Sequence, residues 1–96
     1  MIDETLRERQ LKHKFGIDLE QYMNLLKGQK GVCAICHNGE TSTNKWGEVK
    51  NLAVDHDHET GIIRGLLCQG CNAGLGHFRD DKETLTEAIR YLGEKS

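Results

Sequence analysis

Two Cys-x-x-Cys pairs, Cys33/Cys36 and Cys68/Cys71, constrain what this chain can become more than any other feature. Two thiolates at that spacing reach one tetrahedral ion from a single turn, and a second such turn completes the coordination. The stretch between the pairs, residues 37–67, is then closed into a loop with its ends pinned together. Closure of this kind matters because only 36% of the chain is hydrophobic and 5% aromatic. At 96 residues such a composition supports one small core, and domains of this size usually need a metal, a disulfide or a partner to persist. The expected layout is one domain over 1–96: helices in 1–30, a zinc-bound core in 31–79 and a closing helix in 80–96.

The start of the chain, Met1-Ile2-Asp3-Glu4-Thr5, is acidic and lacks the apolar run of a signal peptide, and no stretch reaches transmembrane length. A cytoplasmic, reducing location without membrane contact is the expectation, which favours zinc over two disulfides. The net charge of −2 counts against tight, non-specific binding to duplex nucleic acid. It leaves room for a local basic patch, or for an enzyme whose metal supplies the positive charge.

Residues 3–15 are strongly charged, with Leu6, Leu11 and Phe15 as apolar anchors, and read as a surface helix that Gly16 stops. Asp18 followed by Gln21 is a capping-box signature for a second helix, with Leu19, Tyr22, Met23 and Leu26 expected to face the core. Gly28 and Gly31 end it. Residues 38–50 read as a polar loop, Leu52-Ala53-Val54 as the start of a strand, Glu59-Thr60-Gly61 as a turn, and residues 62–67 as the returning strand. A short glycine-rich helix begins near Asn72. A last helix, capped by Asp80 or Asp81, carries Leu85, Ala88, Ile89 and Leu92 and stops at Gly93. The predicted class is α+β: a strand–strand–helix core stapled by zinc, flanked by N- and C-terminal helices.

Between the cysteine pairs lies Asp55-His56-Asp57-His58, four consecutive acid and imidazole groups on a predicted strand. Such a run is costly to hold in a fold unless it coordinates or catalyses something. A solvated strand end is the bland alternative. Three other motifs fail by inspection: His58-Glu59-Thr60-Gly61-Ile62 lacks the second histidine of a zinc-protease helix. An EF-hand loop from Asp55 needs glycine at Thr60 and an acid at Leu66. A zinc deaminase needs Pro-Cys-x-x-Cys, and the chain has no proline. Phosphodiester hydrolysis needs a base for water and a cation for the phosphate and leaving oxygen. His56 is a candidate base, and Asp55 with the Asn72 amide are candidate hard-oxygen ligands for Mg²⁺ or Mn²⁺.

The combination Cys33-Ala34-Ile35-Cys36, Leu52-Ala53-Val54-Asp55-His56-Asp57-His58-Glu59-Thr60-Gly61 and Arg64-Gly65-Leu66-Leu67-Cys68-x-x-Cys71-Asn72 resembles the phage recombination endonuclease VII family. That family belongs to the His-Me finger (HNH-like, ββα-metal) nucleases, and the likeness runs from about Phe15 to Tyr91-Leu92. It implies a DNA endonuclease with His56 as general base and Asp55 and Asn72 as ligands of the catalytic ion. His58 would orient the site or touch the phosphate, and Cys33, Cys36, Cys68 and Cys71 would hold a structural zinc. Two departures stand out. The namesake of the family has glutamate where Leu75 stands, and a long helical C-terminal extension where this sequence stops at Ser96. The expectation is therefore a nicking enzyme of phage DNA processing, monomeric or weakly dimeric. A dimeric Holliday-junction resolvase and a non-catalytic zinc ribbon that binds nucleic acid are the alternatives.

Lys12, Lys14, Arg64 and Arg79 are the candidate DNA contacts, with a solvated charged surface as the default for the lysines and an ordinary surface arginine as the alternative for Arg64. His37 offers a substitute zinc ligand beside Cys36. Trp46, in a polar loop, is expected to pack over a zinc knuckle.

In a regular strand, alternation sends His56 and His58 to the face of Leu52 and Val54, and Asp55 and Asp57 to the other. A shared site for Asp55 and His56 therefore requires the strand to bulge, twist or end.

Overall fold

A computed structural model of the chain describes residues 16–95. The charged segment 3–15, including Lys12 and Lys14, lies outside the described residues. Among those described, the elements run α1 (Leu19–Gly28), β1 (Ala53–His56), β2 (Ile63–Leu67), α2 (Gln69–His77) and α3 (Lys82–Lys95). The α+β expectation is met. No described helix is long and apolar enough to cross a membrane.

Helix α1 begins in the capping box read from the sequence: Asp18 Oδ1 accepts from Gln21 N at 2.8 Å, and Gln21 Oε1 accepts from Asp18 N at 2.8 Å. Each bond satisfies a backbone N–H that the first turn leaves without an intrahelical acceptor. The helix closes past Gly28 in a Schellman motif: Lys30 N donates to Lys27 O at 3.0 Å and Gly31 N to Leu26 O at 2.8 Å. The motif demands a left-handed residue at its turning point, and Lys30 takes that place with φ of 59°. Tyr22 is buried, and its hydroxyl donates to Leu52 O at 2.6 Å, fastening α1 to the chain entering β1. Leu19 and Leu26 pack against the core as expected, but Met23 is 49% exposed. A helix lying against so small a core buries a narrow stripe, and Met23 falls beside it.

Strands β1 and β2 pair antiparallel, and the hairpin is closed by Asp57, whose Oδ1 accepts from Glu59 N at 2.8 Å and Thr60 N at 3.0 Å. Gly61 supplies the left-handed residue of this turn, with φ of 77°. The buried apolar residues described are Ile17, Tyr22, Cys33, Leu52, Val54, Leu66 and Leu67, so the core lies between α1, the hairpin and the first cysteine turn. Gln29 covers the open edge of β2. Its amide donates to Val32 O at 2.8 Å and Leu66 O at 3.0 Å, and its Oε1 accepts from Leu66 N at 2.8 Å. With Ala34 N, which also donates to Leu66 O at 3.1 Å, this side chain takes the place of a neighbouring strand for Leu66.

The ladder pairs Ala53 with Leu67, Val54 with Leu66 and Asp55 with Gly65, then slips, so that His56 faces Ile63. Arg64 is the extra residue. Val54 and Asp55, which still pair in regular register, are buried in succession, so both faces of the hairpin are covered there. The ladder is thus irregular at the Asp55–His56 step, and β1 ends at His56.

Helix α2 starts three residues earlier than the expected Asn72, with Cys68 as its N-cap. It ends in a second Schellman motif, in which Arg79 N donates to Gly76 O and Asp80 N to Leu75 O, both at 2.9 Å. Arg79 and Asp80 are both left-handed, with φ of 58° and 55°. For non-glycine residues that conformation costs roughly 1–2 kcal/mol apiece, so the surrounding contacts must hold it. Asp81 caps α3, accepting from Thr84 N at 3.2 Å. Leu85 and Ala88 are half-buried, but Ile89 and Leu92 are 71% and 65% exposed, and the helix runs past Gly93 to Lys95. Glycine weakens a helix interior without requiring a stop, and among the described residues no left-handed turn follows Gly93. Trp46 is 72% exposed, with Lys45 Nζ 4.7 Å from its ring, rather than packed over a cysteine turn.

Candidate metal centre and catalytic site

The four cysteines converge. Their sulfurs all lie within 4.8 Å of one another, with Cys36 Sγ and Cys68 Sγ 3.8 Å apart. A tetrahedron with Zn–S bonds of about 2.3 Å has edges of about 3.8 Å, so the donor set and spacing suit zinc. Backbone N–H groups aim at the sulfurs, Ile35 N on Cys33 and Cys71 N on Cys68, each at 3.4 Å. The second places a sulfur at the N-terminus of α2, where partial positive charge favours a thiolate. Without a cation the four groups cannot all ionise. Burial raises the Cys33 thiol, but backbone N–H groups of Cys68, Cys36 and Ile35 outweigh it and bring it to about 6. Burial, then the neighbouring thiols, push Cys71 up to about 12. A divalent ion removes that conflict. His37 is not part of the cluster. Among the described residues, no other group of three or more His, Cys, Asp or Glu is gathered closely enough to hold a metal.

Glu40 extends this centre, a residue the sequence reading passed over. Its carboxylate accepts from Gln69 N at 2.8 Å, and from Thr41 N and Ser42 N at 3.0 and 3.1 Å. The loop after the first cysteine turn is thereby tied to the start of α2. Burial works against the charge, yet the backbone donors Ser42, Gln69 and Thr41 prevail and hold the carboxyl below its usual range.

Asp55, at the register slip, is the one buried charged residue described. Its partner is Arg64, whose Nε lies 2.7 Å from Oδ2 and whose Nη2 lies 3.0 Å from Oδ1. Regular pairing would put Arg64 opposite His56, on the face away from Asp55. The extra residue resets that alternation and brings guanidinium and carboxylate together. Arg64 Nη2 also reaches Asp80 Oδ2 at 3.0 Å, and His58 Nε2 lies 3.4 Å from the same oxygen. Hydrogen bonds to Asp55 and then Asp80 hold the guanidinium more firmly protonated than an ordinary arginine. The rings of His56 and His58 meet edge to face, 5.0 Å between centroids. Asp55, Arg64, Asp80, His58 and His56 therefore form one connected row, in which Asp80 was foreseen only as a helix cap.

Asn72 lies exposed on the first turns of α2, where its backbone N donates to Cys68 O at 2.9 Å. Helix α2 packs on both strands, so Asn72 and Asp55 belong to adjoining elements. Asp57 is spent on the hairpin turn. Arg79 is exposed and lines a cleft of about 480 Å³ with His58, Arg64, Asp80 and Lys82. A smaller hollow of about 250 Å³ brings Leu75 beside Asp55 and Arg64.

A hairpin and helix joined at a cluster of four cysteines arranged to hold a metal, with an acid and a histidine adjacent at a strand bulge, define a class of small domain. A family model described as recombination endonuclease VII matches residues 8–94. The chain belongs to that family. It is 44% identical over 89 residues to the Gene 59 protein of Mycobacterium phage D29, covering 92% of this chain and 50% of that protein. The Gene 59 protein of Mycobacterium phage L5 is 42% identical over 89 residues, covering 92% and 51%. The chain thus spans about half the length of these curated relatives. No solved structure matches significantly.

Proposed function

We propose that this chain is a metal-dependent DNA endonuclease of His-Me finger type, cutting one strand at a time with little sequence preference. The observation that supports it most is the irregular ladder step between Asp55 and His56, where β1 ends, so that the buried acid and the neighbouring imidazole need not keep to opposite faces. His56 would take a proton from the attacking water as its oxygen bonds to phosphorus. The bond from phosphorus to the leaving oxygen then breaks, and that oxygen acquires a proton from solvent. Asp55 and Asn72 fit Mg²⁺ or Mn²⁺ by donor chemistry, a carboxylate and an amide oxygen, both hard. When bound, the ion neutralises charge on the phosphate and on the leaving oxygen. His58 and Arg64 would face the phosphate, and the cysteine tetrad with its zinc would keep the hairpin and α2 rigid beneath them. DNA would be held through few cationic contacts, Arg64 and Arg79 among them, consistent with the net charge of −2.

Relaxation of supercoiled plasmid by zinc-loaded protein tests this directly. Nicked circles should accumulate with Mg²⁺ or Mn²⁺ and not with chelator, and linear duplex and four-way junction should be cut at similar rates. Cleavage without a divalent ion would contradict the proposed chemistry, and no cleavage under any condition would favour a binding module. A large preference for the junction, together with a stable dimer, would favour a resolvase.

A further inference from the structure

Arg64 occupies both oxygens of Asp55, the carboxylate that the proposed function gives to a divalent cation. The two positive groups compete for that carboxylate, so the ion binds more weakly while the guanidinium holds it. The fold already supplies a second seat. Asp80 Oδ2 lies 3.0 Å from Arg64 Nη2, and the Asp80 side chain is 20% exposed against 38% for Arg64. The Schellman closure of α2 fixes the Asp80 backbone, with Asp80 N on Leu75 O at 2.9 Å and two successive left-handed residues, Arg79 and Asp80. Strain of this kind persists where the surroundings over-determine it, and here it aims a carboxylate at the guanidinium.

We propose that Asp80 is a positioning residue that draws Arg64 off Asp55, so that Arg64 and Asp80 together set how readily the catalytic carboxylate accepts a divalent ion. The inference rests on the reading of Asp55 as a ligand of that ion. Asp80 makes no contact with the ion in this scheme; it acts through Arg64. Once released, the guanidinium remains at the cleft shared by His58, Arg79 and Lys82, where a phosphate can take the place of Asp55.

The experiment is titration of zinc-loaded protein with Mn²⁺ in the absence of DNA, the free ion followed by electron paramagnetic resonance. Arg64→Gln removes the competitor and should tighten Mn²⁺ binding about tenfold, the scale of one charge-assisted contact. Arg64→Lys, which keeps the charge and loses the fork, should fall between. Asp80→Asn should weaken binding several-fold, because Arg64 then has only Asp55; asparagine tolerates the left-handed backbone, so the fold is retained. Opposite signs from neighbouring residues cannot arise from a general loss of structure. In the Arg64→Gln background, Asp80→Asn should have almost no effect, which separates action through Arg64 from loss of a nearby negative charge. Unchanged or weaker binding in Arg64→Gln would overturn the inference while leaving Asp55 a ligand. Unchanged binding in Asp55→Asn would instead overturn the assignment of Asp55 and this inference with it.

Discussion

Arg64 grips Asp55 by a two-point fork, Nε to Oδ2 at 2.7 Å and Nη2 to Oδ1 at 3.0 Å, across a ladder that skips one residue beside them. The pair exists because β2 carries an extra residue, and the slip falls at the step from Asp55 to His56. The cysteine tetrad lies at the base of the hairpin, and its second turn caps α2, which carries Asn72. The cysteine cluster and the candidate site therefore meet in one short stretch of chain.

One zinc per chain should be found by metal analysis of purified protein. Removing it with a strong chelator, or replacing Cys33 with serine, should abolish cooperative thermal unfolding. Much of the ion's binding energy, on the order of 10 kcal/mol, is coupled to folding in small zinc domains. Folded protein that contains no zinc would exclude this role for the cysteines.

Gln29→Ala should destabilise the domain by about 2 kcal/mol, since it strips the acceptor from Leu66 N and leaves Leu66 O with Ala34 N as its donor. Gly65→Ala should also destabilise it, because an added Cβ would stand 3.1 Å from Gln29 Oε1. The clash disappears when Gln29 is shortened, so the double variant should lose less than the two singles combined. Additive losses in denaturant unfolding would mean that Gln29 and Gly65 do not confront each other.

Glu40 gives the domain a carboxylate-dependent lock on α2. Its folded-state value lies below the ordinary 4.5, so its contribution is present above that pH and is lost as pH falls through the lowered value. Wild type should therefore be more stable than Glu40→Gln at neutral pH, with the gap closing below about pH 4.5. Comparing the two proteins at each pH cancels the separate effect of acid on the cysteines. A gap that does not change with pH would remove the carboxylate from this account.

Asp55→Asn and Asn72→Ala should each raise the Mg²⁺ or Mn²⁺ concentration needed for cleavage, while zinc content stays at one per chain. Hard oxygen donors and thiolates select different ions, so damage to one site should spare the other. Loss of zinc from either variant would show that the two sites are not separate.

Most of the frame was legible because its signals are local. The Asp18–Gln21 capping box, the turn at Gly61 and the two cysteine turns each depend on residues a few positions apart. The bulge was legible only as a requirement: nothing in residues 63–65 announces that β2 carries an extra residue. The sequence offers Arg64 as a DNA contact or surface cation and Asp80 as a helix cap, because their meeting depends on that slip and on the closure of α2. Met23, Ile89 and Leu92 obey helical periodicity yet remain exposed, since periodicity marks an apolar face without saying that anything covers it. Glu40 carried no sequence signal: a lone acid in a polar loop looks the same whether or not it captures backbone donors.

The central claim is that His56 is the base of a phosphodiester hydrolase. Single-turnover cleavage of supercoiled plasmid by zinc-loaded wild type and His56→Ala, with DNA affinity measured in parallel, tests it most directly. The predicted result is a rate loss of about 10²–10⁴-fold, with zinc content and DNA binding retained. A folded, zinc-replete His56→Ala protein that cuts DNA at near wild-type rate would contradict it.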